Sequence, residues 1–292
     1  MSQSTSPGQN GKAEFGHLYN QSDPRDYFHT LGALDYRAPA HGEHIFSHLV
    51  DQRRQQLGRQ DISVLDVCCS YGINAALLNH DLTLDALYEH YRSPHLAALS
   101  TDELVTADRA FYGEHRRPRP ADVLGLDVAD QAVAYAQRVG LLRASSSENL
   151  ETRQPSAALS HRLAAVDLIT VTGGIGYITE RTFDHLLHHA STNGGCWVAA
   201  FVVRWVSFQP VAEVLARYGL VTEQPSEQTF RQRRFADDTE RDFVLGELEK
   251  LGVDPGGKEA DGWHHSTFYL SCPAGQARPT LGDVLSGCNG PA

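Results

Sequence analysis

Two kinds of apolar pattern alternate along this chain. Short runs with few polar breaks occur at Ile62–Val67 (ISVLDV), Asp122–Val128 (DVLGLDV), Val166–Val171 (VDLITV) and Cys196–Val203 (CWVAAFVV). Such runs are expected of strands buried on both faces of a parallel sheet. Between them, apolar residues recur at helical spacing from Ile73, over Ala129–Val139, over Thr179–Ala190 and over Pro210–Tyr218. Small-residue turns join the two kinds of segment, at Cys68–Gly72, Thr172–Gly176 and Asn193–Gly195. Thr229–Phe235 and Ser266–Cys272 read as the remaining strands, with a helix over Glu240–Leu251 between them and one antiparallel edge. Strands alternating with helices predict a mostly parallel sheet covered on both faces.

Two helical additions interrupt this alternation. In Asp23–Tyr36 (DPRDYFHTLGALDY), Asp23 is placed to cap a helix with Pro24 in its first turn. Tyr27, Phe28, Leu31 and Leu34 then form one apolar stripe, suited either to core packing or to a lid over a cleft. Ala40–Leu57 predicts a further helix, with Ile45, Phe46, Leu49 and Val50 on one side. After the first strand and helix comes an insertion with helical patterns at Leu82–Tyr91 and Asp102–Phe111, ended by Arg116-Arg117-Pro118-Arg119-Pro120. The expected organisation is a flexible tail over 1–22, an N-terminal helical lid over 23–61, an α/β core over 62–274 with a helical insertion at 79–121, and a second flexible tail over 275–292.

Composition narrows the class. A formal charge of -11 argues against nonspecific binding to nucleic acid or to an anionic membrane, both of which need a positive field. The basic clusters Arg116/Arg117/Arg119 and Arg231/Arg233/Arg234 are then expected to be solvated faces or local ion pairs. Five cysteines without a CxxC pair indicate neither a disulfide framework nor a zinc knuckle. His188-His189 and His264-His265 are adjacent pairs, a poor arrangement for converging on a metal, and no metal is expected. Met1–Lys12 is polar, and no apolar run approaches the roughly 20 residues of a membrane span. A cytoplasmic protein with a small-molecule substrate is expected, and homodimerisation stays open.

Three strand ends carry the candidate chemistry. Asp66 with the loop Cys68–Asn74, Asp127, and the turn Gly173–Tyr177 all follow parallel strands, so they are expected to line one crevice at the carboxyl edge of the sheet. An acid after the second strand suits a ribose diol, and a small-residue first turn lets a ligand approach the backbone. The first turn lacks the G-x-G-x-x-G that cradles a pyrophosphate, which disfavours a dinucleotide-binding dehydrogenase, and no P-loop is present.

VLDVCCSYG (Val64–Gly72), LGLDV (Leu124–Val128) and DLITVTGGIGY (Asp167–Tyr177) resemble the S-adenosylmethionine (SAM) binding motifs of class I methyltransferases. The resemblance implies a Rossmann-like class I methyltransferase fold, a seven-stranded mostly parallel sheet with a helical cap, and SAM as substrate or methyl donor. It also implies ligand contacts from Asp66, Cys68, Gly72, Asp127, Val128, Asn149, Leu150, Gly173 and Gly174. Two features depart from the family pattern: only Gly72 remains of the glycine-rich first loop, and the insertion separates Asp66 from Asp127 far beyond a simple βαβ unit. The wider pattern, including DPRDYFHTLGALDY, CCSYGIN and FVVRWVSFQP, is similar to the bacterial group that cyclises SAM to azetidine-2-carboxylic acid and methylthioadenosine in secondary metabolism. That likeness implies catalytic roles for Tyr177, Ser207 and Tyr71, with Arg204 near the methionine moiety and Tyr27, Phe28 and Tyr36 as a lid. The alternatives are methyl transfer to a small molecule and SAM binding without catalysis.

Overall fold

The computed structural model describes residues 16–190, 195–225, 227–276 and 280–286. Helices α1 (Gly16–Tyr19), α2 (Arg25–Ala33) and α3 (Ala38–Leu57) precede β1 (Ser63–Val67) and α4 (Ile73–Asn79). The insertion follows as α5 (Leu84–Arg92), α6 (Pro94–Ala97) and α7 (Thr101–Glu114). The chain continues with β2 (Asp122–Leu126), α8 (Asp130–Arg138), β3 (Ala144–Ser146), α9 (Ala157–Leu163), β4 (Leu168–Thr172), α10 (Glu180–Ala190) and β5 (Trp197–Val203). It closes with α11 (Gln209–Arg217), β6 (Leu220–Glu223), β7 (Phe230–Arg234), α12 (Asp238–Lys250), β8 (Trp263–Pro273) and α13 (Leu281–Leu285).

The sheet order is β3-β2-β1-β4-β5-β8-β6, parallel through β5, with β8 antiparallel to its neighbours. Alternate residues along each strand feed two cores. Val64, Val123, Leu168 and Phe201 pack with α3, α4 and α8 on one face. Leu65, Leu124, Ile169 and Val198 pack with α9, α10 and α11 on the other. Burial on both faces is why these strands read as continuous apolar runs.

Among the described residues the sheet has eight strands, where seven are expected from the sequence. The added strand comes from the length of β8. Ser271 pairs with Val198 of β5 on one side and Thr222 of β6 on the other, while Ser266 pairs with Val203 of β5 and Phe230 of β7. β6 and β7 therefore lie end to end along one edge of β8. β3, with only Ala144-Ser145-Ser146, and the short β6 carry no apolar run by which sequence could reveal them.

Both expected tails include ordered chain. Leu18 is buried, and Gln21 hydrogen-bonds through its backbone to Tyr71. At the other end Val284 and Leu285 of α13 are buried against the core. In each case one or two apolar residues in a polar segment find a hydrophobic recess that local composition does not reveal. Met1–Lys12, Asn193-Gly194 and Cys288 lie outside the described residues. The crevice at the carboxyl edge of the sheet is covered chiefly by α2 and the loop after it, with Tyr19 of α1 and Pro39 at the start of α3. α3 belongs to the core layer, with Phe46 edge-on to Phe201 of β5 at 5.9 Å between ring centres.

Phe28 stacks on Tyr91 of α5 at 4.2 Å, and the Tyr88 hydroxyl donates to the Tyr36 carbonyl, so α2 is fastened to the insertion. The insertion is fastened to the core through Asp108. Its fully buried carboxylate accepts hydrogen bonds from Tyr91 (2.5 Å) and from Tyr135 of α8 (2.6 Å), and pairs with His90 Nε2 at 2.8 Å. Asp108→Ala would leave these groups buried without their partner, and we expect a loss of about 3 kcal/mol in folding stability. Urea denaturation measures it, and a loss below about 1 kcal/mol would show that the cluster carries little of the cap's stability.

Candidate functional site

At the carboxyl ends of β1, β2 and β4 lies a cavity of about 800 Å³. Its floor is built by the first loop. Cys68 (φ 58°) and Ser70 (φ 49°) both hold left-handed backbone conformations, which non-glycine residues adopt only when surrounding structure requires it. The requirement here comes from Asp127, whose carboxylate accepts the Ser70 N–H at 2.8 Å and the Ala129 N–H at 3.0 Å. These bonds tie the loop after β1 to the loop after β2. Burial raises the Asp127 pKa, and the same two hydrogen bonds oppose that rise.

Asp66 sits one layer beneath the floor. It is buried and accepts hydrogen bonds from Thr170 Oγ1 (2.9 Å) and Asn74 Nδ2 (3.0 Å), joining β1, β4 and α4. Asn74 Nδ2 also reaches Thr172 Oγ1 at 3.2 Å. Burial pushes the Asp66 carboxyl up to about 7, against the pull of these hydrogen bonds.

The glycine turn after β4 forms the next wall. A Cβ at Gly173 would stand 2.6 Å from Gln232 Nε2, and one at Gly174 would stand 2.6 Å from Cys68 Sγ. Gly174 therefore needs glycine for close approach to Cys68, whereas at Gly173 it is the left-handed backbone (φ 71°) that favours glycine, since the Gln232 amide can shift aside. Tyr177 follows, about half exposed, with its phenol pKa raised by burial of the hydroxyl end. The roof comes from Tyr19, Tyr27, Leu31, Tyr36 and Pro39, and a side wall from Gln232 and Arg233 of β7. Burial also raises the phenol pKa of Tyr19, Tyr27 and Tyr36, which stay protonated at neutral pH. The far end is lined by Val128, Glu148, Asn149, Leu150 and Glu151. Val128 is 62% exposed, an apolar residue turned out at the cavity rim.

Of the residues singled out from sequence, Cys68, Asp127, Val128, Asn149, Leu150, Gly173, Gly174, Tyr177, Tyr27 and Tyr36 line this one cavity. Five do not. Asp66 supports the floor from below. Gly72 caps α4 at φ 75°, with its Cα turned toward Ala136 and Leu141. Phe28 is a buried anchor on α5. The Tyr71 hydroxyl faces the backbone of Leu18 and Gln21. Ser207 lies with Arg204 in a second cavity of about 490 Å³ that shares no lining residue with the first. There Ser207 Oγ accepts the Gln209 N–H, and Arg204 pairs with Glu259 at 2.5 Å. The chain turns away from the ligand crevice after β5, which spacing along the sequence could not reveal.

Sequence reasoning missed Tyr19, Asn20, Gln232 and Arg233. Arg233 falls in the cluster expected to be a solvated face or local ion pairs. It is buried and holds Glu240 through two hydrogen bonds (2.8 and 2.5 Å), while Arg231 and Arg234 stack on Trp263. The alternation of β7 and the acid at Glu240 were the available signals. Among the described residues no group of three or more His, Cys, Asp or Glu side chains is arranged to hold a metal ion, and no helix is long and apolar enough to cross a membrane.

No protein-family model matches this sequence, and no curated protein matches it. Solved structures similar to it include the plantazolicin methyltransferase BpumL in complex with SAH (10% identity, 88% of this chain and 94% of that chain, TM-score 0.41). Others are the YcgJ protein from Bacillus subtilis (9% identity, 77% and 98%, TM-score 0.41) and magnesium protoporphyrin IX methyltransferase from Synechocystis PCC 6803 with bound SAM (12% identity, 79% and 80%, TM-score 0.37). At such identities and TM-scores the likeness assigns no activity to this chain.

The raised carboxyl of Asp66 gives a pH prediction. Unfolded, the group titrates near about 3.9; folded, it titrates at about 7. Between these values the folded protein keeps a proton that the unfolded chain has released. The group's contribution to stability therefore falls as pH rises from about 4 to about 7, and is level outside that window. Asp66→Asn cannot ionise, so urea midpoints measured at about pH 5 and about pH 7.5 should differ less for the variant than for the wild type. An unchanged difference would place the titration elsewhere.

Proposed function

We propose that the cavity binds S-adenosylmethionine and that the protein is an enzyme using it as an alkyl donor toward a small nucleophile. The observation that carries this reading is the gathering in one crevice of an acid after β2, a glycine turn after β4 and four tyrosines above them. Each matches one part of the ligand. The Asp127 oxygens, each with a lone pair to spare, would accept the ribose hydroxyls. Val128, Asn149 and Leu150 would flank adenine. Tyr177, Tyr36, Tyr27 and Tyr19 would surround the sulfonium, whose attraction to an aromatic face contributes about 0.5–2 kcal/mol.

The chemistry is displacement at a carbon next to sulfur. A nucleophile's electron pair forms the new bond, the C–S bond breaks, and its electrons return to sulfur, which becomes a neutral thioether. The protein's part is alignment and exclusion of water, the largest contributions available to a reaction between held groups. An external acceptor attacking the methyl carbon leaves S-adenosylhomocysteine, which is methyl transfer to a small molecule.

One observation favours a second nucleophile. Among the described lining residues there is no His or Lys, and the tyrosines roofing the cavity are held in their protonated form. The three lining carboxylates, Asp127, Glu148 and Glu151, each already accept hydrogen bonds from neighbouring backbone N–H or hydroxyl groups. An amine needs little help, because an α-amino group titrates near about 8 and is partly unprotonated at neutral pH. SAM carries such an amine. The ammonium first gives one proton to solvent. If the freed nitrogen then attacks the γ-carbon of its own chain, a four-membered ring forms and the Cγ–S bond breaks. Methylthioadenosine leaves with those electrons on sulfur, and the ring nitrogen keeps its two remaining protons, giving a zwitterion. The product is azetidine-2-carboxylic acid.

Incubation of the protein with SAM alone, followed by mass spectrometry against an enzyme-free blank, separates the readings. Methylthioadenosine with an equimolar azetidine amino acid establishes ring closure. SAM unchanged at the blank rate rejects it and directs the search to an external acceptor. Tyr177→Ala should lower turnover at least about tenfold with folding retained, and unchanged turnover would remove Tyr177 from the sulfonium site. Asp127→Ala should weaken calorimetric affinity for S-adenosylhomocysteine about tenfold or more. Undiminished affinity would overturn the ribose assignment.

A further inference from the structure

Residues Leu18–Ser22 run past the cavity, which Tyr19 and Asn20 line, on three fastenings: Tyr71, the start of α8, and an exposed contact of 3.2 Å between the Ser22 and Thr101 hydroxyls. On the β1 side, the Tyr71 hydroxyl accepts the Gln21 N–H at 2.9 Å and shares its own proton between the Leu18 and Gln21 carbonyls, each at 3.1 Å. Tyr71 is buried, with its ring edge-on to Tyr27 and Tyr135. On the β2 side, Asn20 clasps the start of α8. Its amide donates to Asp130 Oδ1 at 3.0 Å, and its side-chain oxygen accepts the Gln131 N–H at 2.9 Å. Its backbone carbonyl accepts Gln131 Nε2 at 2.9 Å. All three of these bonds are exposed. Tyr19 and Asn20, between the two residues that Tyr71 holds, line the cavity; Tyr71 does not.

The two ends differ in what it costs to open them. An exposed hydrogen bond exchanges freely with water and contributes little net stability, whereas a buried donor left unpaired is costly. The clasp on α8 therefore opens far more readily than the anchor at Tyr71. The clasp also adjoins Asp127, Val128 and Ala129 of the cavity lining, the part assigned above to the nucleoside.

We propose that Leu18–Ser22 is a gate that swings open at the Asn20 clasp, pivots at Tyr71 and closes over the bound ligand. Tyr71 is then a positioning residue: it touches no ligand and acts by returning Tyr19 and Asn20 to the cavity wall. The choice of ligand in the test rests on the SAM reading above.

Amide hydrogen exchange over residues 18–22, with and without S-adenosylhomocysteine, tests the gate together with stopped-flow binding. The expected result is exchange that slows with ligand. Asn20→Ala should raise both the association and dissociation rates about threefold or more, since opening becomes cheaper at little cost to the closed wall. Tyr71→Phe keeps the ring and should speed exchange across the whole of 18–22, while raising the dissociation rate about tenfold. A role confined to fold stability would shift the melting temperature and leave these rates within about twofold, which overturns the gate. Exchange indifferent to saturating ligand also overturns it. If calorimetry finds no binding of S-adenosylhomocysteine, the SAM reading fails. The gate is then judged on the free protein, where Asn20→Ala must speed exchange at 19–20 and leave the Tyr71 anchor at Gln21 protected; equal exchange in wild type and variant overturns it.

Discussion

The hydrogen bond from the Ser70 N–H to the Asp127 carboxylate is the constraint on which the cavity depends. It joins residues 57 apart in the chain, in the loops after two strands that lie side by side in the sheet. Holding it forces Cys68 and Ser70 into left-handed backbone conformations. In that shape the loop sets Cys68 Sγ against Gly174, and so positions the turn after β4 as well. One carboxylate thus determines the relative placement of three strand ends.

Beneath this surface, Asp66 does for the core what Asp127 does for the loops. Its buried carboxylate joins β1, β4 and α4, and its raised pKa records the cost of doing so in an apolar setting. The insertion repeats the device at Asp108, which gathers His90, Tyr91 and Tyr135. Two buried acids, Asp66 and Asp108, and the half-buried Asp127, each surrounded by donors, fix the floor, the cap and the crevice. Buried polar groups satisfied in this way narrow the arrangements open to an otherwise non-directional hydrophobic core.

The cover over the crevice is made of aromatic residues held from outside. Phe28 stacked on Tyr91, and Tyr88 bonded to the Tyr36 carbonyl, place Tyr27 and Tyr36 without themselves entering the cavity. The same division separates Tyr71 from Tyr19. For displacement at a sulfonium carbon this arrangement is apt, because aromatic faces attract the cation, exclude water and offer no competing nucleophile of high basicity.

What the sequence by itself determined was local. Apolar runs ending near Asp66, Asp127 and Gly173 announced strands buried on both faces, and the rule that ligands bind at the carboxyl ends of parallel strands brought Cys68, Asp127, Gly173, Gly174 and Tyr177 to one cavity. Periodicity and switch-point topology are encoded within a few residues, so they are legible without the fold. Which side chains turn inward was decided only by tertiary structure. Tyr71 adjoins the site in sequence yet points at the backbone of Gln21, and Ser207 follows a strand that borders the crevice yet faces another cavity. Tyr19 and Asn20 come from a polar segment without periodicity, and Arg233 from a basic cluster whose partner, Glu240, becomes evident only once α12 packs beside β7. Such contacts depend on the direction of a side chain in three dimensions and on the cost of leaving a buried polar group unpaired. Neither quantity is a property of any short stretch of the chain.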